Sequence, residues 1–498
     1  MSNLYTADRL VSTRAALTML GLIAVWGSVF GQTLPQQTVP TAPGVSVEEA
    51  VNTLVADALA ANLELDGASA GVAQQLAALD QARALYLPSL DLAARYTRAN
   101  GGRTIDFPVG DLLNPVYATL NQLTGTSQFP AVQNQQINFQ RTREQDTHIT
   151  LSQPLYDARI SAGHEAARSQ YSAASAGRIA LAGRIERDMR EAYFRWLQAR
   201  AQIGIFDDTL ELATENRRVN ESLFRNGKIT RDLVYRAEAD QLEVQQQQLG
   251  AQNAEKLAKS YVNLLRNAPF DRALPIAAVE DPDIVRLRNQ LAAQTKQPDL
   301  NLGPLQDAAV AQRYELRQLD AIGAAAAASE RLARAAFKPQ LGFAFDAGTQ
   351  GETYAYSTED RYLLASVVLK FNFFAGGGDE AGIAGARATM RAARDNRQLQ
   401  EQQVRFQVQQ ALQDLEFTQA SLGTAAKRVE AAEGAIRIAS RKRDLGQINQ
   451  AEFIDSRRAM TDAQLNLNLV RFAALGSLAE LEYAIGADTH HVPPEVQP

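Results

Sequence analysis

Few side chains of this chain have the types and spacing that chemistry needs. Glu452 and Asp455 stand three apart, which puts two carboxylates on one face of a helix. Taken alone, such a pair is a solvated acidic face beside Arg457 and Arg458. Of the four histidines, His490 and His491 sit in a C-terminal tail, where they could hold a metal only weakly. His148 and His164 are isolated. No serine–histidine–aspartate arrangement, phosphate loop or metal-ligand spacing is present. The glycines Gly376–Gly378 lie between a strand pattern and a helix pattern, so they read as a bend. The chain has no cysteine, which excludes disulfides, thiolate metal sites, a cysteine nucleophile and a lipoprotein anchor. These residues predict no enzyme, no cofactor and no metal centre.

Composition narrows the class further. The 498 residues are 46% hydrophobic and 21% charged, with a net charge of −6 and no basic block, which argues against nucleic acid. Arg9 and Arg14 precede an apolar run from Ala15 to Phe30, followed by small residues and a proline-rich lead. That is the pattern of a cleaved export signal over residues 1–31, with a flexible lead over 32–46. No later stretch is apolar and long enough for a membrane-spanning helix.

The elements that would position the carboxylates come in two proline-free stretches, Leu155–Ala268 and Gln340–Val492. Pro88 and Pro339 introduce alternating segments. Leu90, Leu92 and Tyr96 share one face of the first; Leu341, Phe343 and Phe345 share one face of the second. A second strand follows in each half, 148–156 and 362–374. In the latter Leu363, Ala365, Val367, Leu369, Phe371 and Phe373 form the apolar face. Residues 98–147 read as a long loop, about 33 residues longer than its counterpart in the second half. Period-two alternation with one apolar face suits a membrane barrel strand, apolar to lipid and polar to lumen.

Each half then runs into a long helical pattern. Ile185, Met189, Tyr193 and Trp196 in the first, and Val404, Val408, Leu412 and Leu415 in the second, repeat 219 positions apart. Gly227 and Gly446 are also 219 apart and mark the turn of each hairpin. From about Arg159 to Asn226 such a helix reaches roughly 100 Å, so it needs a partner along its whole length. The expected organisation is a first repeat over 47–268, a linker over 269–304, a second repeat over 305–486 and a tail over 487–498. The helices at 47–85 and 305–336 would lie end to end with the returning arms. Four strands cannot close a barrel alone, and open strand edges do not persist in lipid. Further copies must complete the sheet.

In doubled plan, proline-started strands and paired tips the chain resembles the TolC-like outer-membrane efflux family. The motifs ARALYLPSL, ITLSQPLYD, NGKITRDLVYRAEA and LGQINQAEFIDSRR carry the likeness over nearly all of the mature length. The resemblance implies an α+β, mostly α fold and a homotrimer with a twelve-stranded barrel continuous with an α-helical tunnel. It implies a passive exit duct in the outer membrane of a Gram-negative bacterium, with its tunnel in the periplasm. Its partners would be a periplasmic adaptor and an inner-membrane transporter of the RND, ABC or MFS type. Glu452 and Asp455 would line the tunnel constriction. Arg231, Asp232 and Arg236 would pair with the neighbouring tip in the closed state. Leu223, Gly227, Lys228, Ile229, Thr230, Gly446, Gln447 and Ile448 would meet the adaptor. Where the second tip has Glu452 and Asp455, the first has Leu233 and Arg236, so one tip per protomer would carry the acids. Leu90, Leu92, Tyr96, Leu341, Phe343, Phe345, Val367 and Leu369 would face lipid. The alternatives are the outer-membrane component of type I protein secretion and, in a different class, an exported coiled-coil scaffold or adhesin without a pore.

Overall fold

The computed structural model describes residues 46–295, 300–353, 357–445 and 447–487. The expected export signal and the His490–His491 pair lie outside them. Within them the chain runs α1 (Val47–Ala61), α2 (Leu63–Ala84), β1 (Ser89–Arg98), β2 (Thr104–Phe107), α3 (Val109–Thr124), β3 (Gln135–Asn138) and β4 (Arg143–Asp157). Then come α4 (Ala158–Arg225), α5 (Arg231–Leu265), α6 (Asp281–Gln294), α7 (Leu302–Gln312), α8 (Tyr314–Arg334), β5 (Gln340–Gly351), β6 (Arg361–Lys370), α9 (Gly378–Asp444) and α10 (Gln450–Ile485). The fold is mostly helical α+β. None of the described helices is long and apolar enough to cross a membrane.

Two rods dominate. α4 has 68 residues and α9 has 67, and neither contains proline. Each buries the stripe expected to hold a partner. Ile185, Met189, Tyr193 and Trp196 of α4 and Val404, Val408, Leu412 and Leu415 of α9 all lie in one core, with Phe472, Leu475, Leu478 and Leu481 of α10. α5 packs along one part of α4 and α2 along another; α10 and α8 do the same for α9, and α8 also touches α4.

The shorter helices join end to end at a polar joint, built differently in each half. Asn62 breaks α1 from α2. Its side-chain oxygen accepts the Glu64 and Leu65 amides, and its Nδ2 donates to the carbonyl of Leu265, the last residue of α5, at 2.9 Å. That one side chain starts one helix and ends another, satisfying groups that helix termini leave orphaned. Arg313, between α7 and α8, stands 251 positions after Asn62. It donates to the Tyr483 and Ala484 carbonyls at 3.3 Å, in the last turn of α10. So the segments expected as single helices over 47–85 and 305–336 are each two helices, divided where the joint needs a side chain.

Four strands form one antiparallel sheet in the order β1-β4-β5-β6. The register pairs Leu90 with Leu151, Leu92 with Ile149, Leu151 with Phe345, Phe343 with Val367 and Leu341 with Leu369. Directly paired residues share a face, so these side chains form one apolar surface. Asp91, Arg95, Asp146, His148, Thr150 and Asp346 take the other face by the same register.

Several boundaries differ from the sequence expectation. The stretch 98–147 is not a plain loop. It holds the β2–β3 hairpin and α3, clamped by asparagines. Asn114 donates to the Val132 carbonyl at 2.9 Å and accepts its amide at 2.8 Å, and Asn121 grips Phe129 in the same way. Glycine, proline and asparagine suggested a loop, but here the asparagine amides act as anchors, together with Tyr117 against Phe129 at 5.6 Å. β4 starts at Arg143 rather than 148, because Glu144 to Thr147 is polar on both faces and shows no alternation. β6 stops at Lys370 rather than 374, because Lys370 pairs with Gln340, where β5 begins. β5 extends to Gly351 instead of ending at 346. The 269–304 linker contains α6, opened by a reciprocal Glu280–Asp283 capping box with Pro282 in its first turn.

Candidate functional site at the hairpin tips

The first tip closes with a left-handed glycine cap. Gly227 has φ +67, the Lys228 amide donates to the Leu223 carbonyl at 2.9 Å, and the Gly227 amide donates to the Phe224 carbonyl at 2.9 Å. This is the Schellman pattern. A Cβ on Gly227 would meet nothing within 4 Å, so backbone angle rather than space is the reason for glycine there. The second tip makes the same long bond 219 positions later, from the Gln447 amide to the Lys442 carbonyl at 2.8 Å. Gly446 itself lies outside the described residues. Lys228 and Thr230 are exposed, while Leu223, Ile229 and Ile448 are half-buried.

α10 opens with Asn449 as its cap, whose side chain accepts the Glu452 amide at 2.8 Å. Glu452 therefore sits in the first turn, where the helix dipole favours a carboxylate. Asp455 follows one turn on, about 4.5 Å along the axis. Both are exposed, and Phe453, Ile454 and Arg457 between and beside them are buried. The helix thus turns its apolar side into the protomer and its two carboxylates away from it. Among the described residues neither carboxylate has an ion-pair partner.

The neighbouring arginines do not neutralise them. Arg457 is buried and donates to Asp240 of α5 at 2.7 Å. Arg458 pairs with Glu243 of α5 at 2.7 Å. Both guanidiniums reach across to the first hairpin. Around them lie further polar links between hairpins: Thr209 to Thr461 at 3.0 Å, and Asn220 Nδ2 to Gln450 Oε1 at 3.2 Å. The sequence reading missed Asp240 and its pairing with Arg457. The usable signal was a charged residue on the inward side of each returning arm.

Arg231, Asp232 and Arg236 are exposed on α5. Arg231 lies over the Tyr235 ring at 5.4 Å, and none of the three has an ion-pair partner within the protomer among the described residues. The structure brings Glu452 and Asp455 together and leaves these three separate from them.

A family model described as outer membrane efflux protein matches residues 54–265 and 305–487. The chain belongs to the outer membrane efflux protein family. It is a transport protein of the outer membrane. The two matched segments cover the two hairpins with the strands and helices that flank them. Solved structures agree in fold. The CusC channel superposes with a TM-score of 0.73 at 18% identity, covering 91% of this chain and 96% of that one. The CmeC outer membrane channel of Campylobacter jejuni gives 0.71 at 14% identity, covering 94% of each. The MtrE channel of Neisseria gonorrhoeae in its open state gives 0.68 at 18% identity, covering 88% and 89%. No curated protein matches by sequence.

Proposed function

We propose that three copies of this chain form a passive exit duct for small molecules, a twelve-stranded barrel continuous with an α-helical tunnel. The carrying observation is the sheet. Its four strands have one continuous apolar face and two unpaired edges, β1 and β6, and β4 leads directly into the 68-residue α4. An edge in lipid must be paired, and β1 of one copy against β6 of the next closes the sheet without a new element. Twelve strands are well within the range of membrane barrels. The rods then extend from one end of that barrel.

In this reading the tips form the periplasmic mouth. Threefold symmetry turns Glu452 and Asp455 into two stacked rings of carboxylates, about one helical turn apart. Rings of like charge attract cations and repel themselves, so cation binding or protonation eases their approach and their removal changes conduction. The tip residues Leu223, Gly227, Lys228, Ile229, Thr230, Gly446, Gln447 and Ile448 meet a periplasmic adaptor, which connects the duct to an energised inner-membrane transporter. Arg231, Asp232 and Arg236, which have no ion-pair partner among the described residues, pair with the next tip when the mouth is closed.

Planar bilayers test the duct and the gate together. The purified protein should migrate as a heat-modifiable trimer and conduct. The double variant Glu452→Gln, Asp455→Asn should alter conductance and relieve block by divalent cations. Unchanged conductance and block would remove the carboxylates from the gate; a soluble monomer would sink the duct.

A further inference from the structure

The polar face of the sheet carries an ordered band of charge far from the tips in sequence and untouched by the gate. Ala93, His148, Gly348 and Tyr362 stand side by side across the four strands. One row along on the same face are Arg95, Asp146 and Gln350, and on the other side Asp91, Thr150 and Asp346. Asp146 is the hub. His148 Nδ1 lies 2.9 Å from its Oδ1, Arg95 lies 3.4 Å from its Oδ2, and the Tyr362 hydroxyl donates to Oδ1 at 3.4 Å. Thr150 donates to Asp346, and Gln350 donates to Glu144 at 2.6 Å. The row closes only because residue 348 is glycine. A Cβ there would fall 2.5 Å from the Cβ of His148 and 2.7 Å from the Thr147 carbonyl oxygen.

We propose that this band is a second charge filter of the duct, in the barrel rather than at the tips, and that protonation of His148 sets its strength. The proposal rests on the duct reading, in which the apolar face meets lipid and this face meets the lumen. The charged and titratable groups around the imidazole are Asp91 and Arg95 on β1, Glu144 and Asp146 on β4, Asp346 on β5 and Tyr362 on β6. Four carboxylates against one guanidinium leave three negative charges per protomer, hence nine around a trimer. Such a ring favours cations. An imidazole changes charge in the range between about pH 5 and 8, and three protonated histidines would lower the nine to six. The imidazole is the group of the band whose charge changes in that window.

Screening dictates the measurement. At physiological salt the Debye length is about 8 Å, and it grows to about 30 Å near 0.01 M. Reversal potentials should therefore be read across a shallow KCl gradient at low ionic strength, at about pH 8 and about pH 5.5. The background is Glu452→Gln, Asp455→Asn, which removes the tip carboxylates from the signal. The parent should prefer cations at the higher pH, and its reversal potential should move toward zero on acidification. In His148→Asn that movement should shrink by about half or more, and in Asp146→Asn the preference should fall at both pH values. If His148→Asn fails to assemble as a heat-modifiable trimer, His148→Gln takes its place. A conducting trimer whose selectivity shifts with pH equally with and without His148 would overturn the filter alone. A parent protein that neither trimerises nor conducts would overturn the duct beneath it.

Discussion

Arg457 and Asp240 form a buried ion pair between the two hairpins, with side chains 4% and 3% exposed. Among the described residues Asp240 Oδ2 and Arg457 Nε have no hydrogen-bond partner, so the pair is incompletely satisfied. Such a pair is weak evidence for stability, but removing Arg457 leaves the buried Asp240 facing only the half-exposed Arg458, 3.7 Å away. Arg457→Ala should cost about 3–5 kcal/mol, and the double change Asp240→Leu, Arg457→Met should recover most of that. A double-mutant cycle on unfolding by heat or denaturant measures both. A single variant as stable as the parent would show that the pair is hydrated and loose. The tyrosines of the central core respond to pH instead. Burial pushes the Tyr193 hydroxyl, which donates to the Pro275 carbonyl at 2.9 Å, up to about 12. Burial and then the Glu315 charge push Tyr483 up to about 12 as well. Their folded values lie above the unfolded value near 10, so the stability they contribute is present below about pH 10 and is lost as pH rises toward 12. Thermal scans should show that loss above about pH 10, and Tyr193→Phe should lessen it. A loss that is the same in the phenylalanine variant would assign the alkaline transition elsewhere.

At the scale of elements the end-to-end joints explain how two rods of nearly 70 residues find partners along their length. Asn62 makes three hydrogen bonds across such a joint. Asn62→Ala removes all of them and should destabilise the protein by about 0.5–2 kcal/mol, the range for a lost helix cap. Asn62→Asp keeps the cap acceptor but loses the donor to Leu265, so it should fall between the parent and alanine. Equal effects of the two changes on the melting midpoint would mean that the bond to α5 contributes nothing. The rods themselves were legible in the sequence. Ile185 to Trp196 and Val404 to Leu415 repeat at helical spacing without a proline, and periodicity of that length has one reading. The joints were not legible, because Asn62 and Arg313 carry no pattern and act through residues about 170 to 200 positions away. The clamped helix α3 was hidden for the opposite reason. Its asparagines and prolines signal turns locally, and only their pairing with residues 129 and 132 makes them anchors. At the tips Glu452 and Asp455 were visible as a spaced pair. That Arg457 turns inward to Asp240 rather than toward them depends on which helix packs behind, which spacing within one helix does not record.

For the whole molecule the question is which face of the sheet meets lipid, and adjacent residues of one strand answer it. Leu92 and Ala93 follow each other on β1. Leu92 pairs with Ile149 on the apolar face, and Ala93 pairs with His148 on the polar one. Leu92 is 72% exposed in the isolated protomer, so a larger side chain meets no packing obstacle within the chain. The two positions differ chiefly in the solvent that assembly would give them. An arginine on the lipid face of a membrane barrel costs about 2–4 kcal/mol at the midplane, and on the lumen face it meets water. Three copies multiply the penalty in a trimer, because each protomer carries the change. Leu92→Arg should therefore abolish heat-modifiable trimers from outer-membrane fractions. Ala93→Arg should preserve them and shift ion selectivity toward anions, since it adds a positive charge beside Asp146 and His148. The reverse outcome would place the polar face outward and dismantle the barrel, the lumen filter and the duct together. Trimer loss in both variants would instead point to a sheet too tightly filled to hold arginine on either side, and Leu92→Asn with Ala93→Ser would then separate polarity from size.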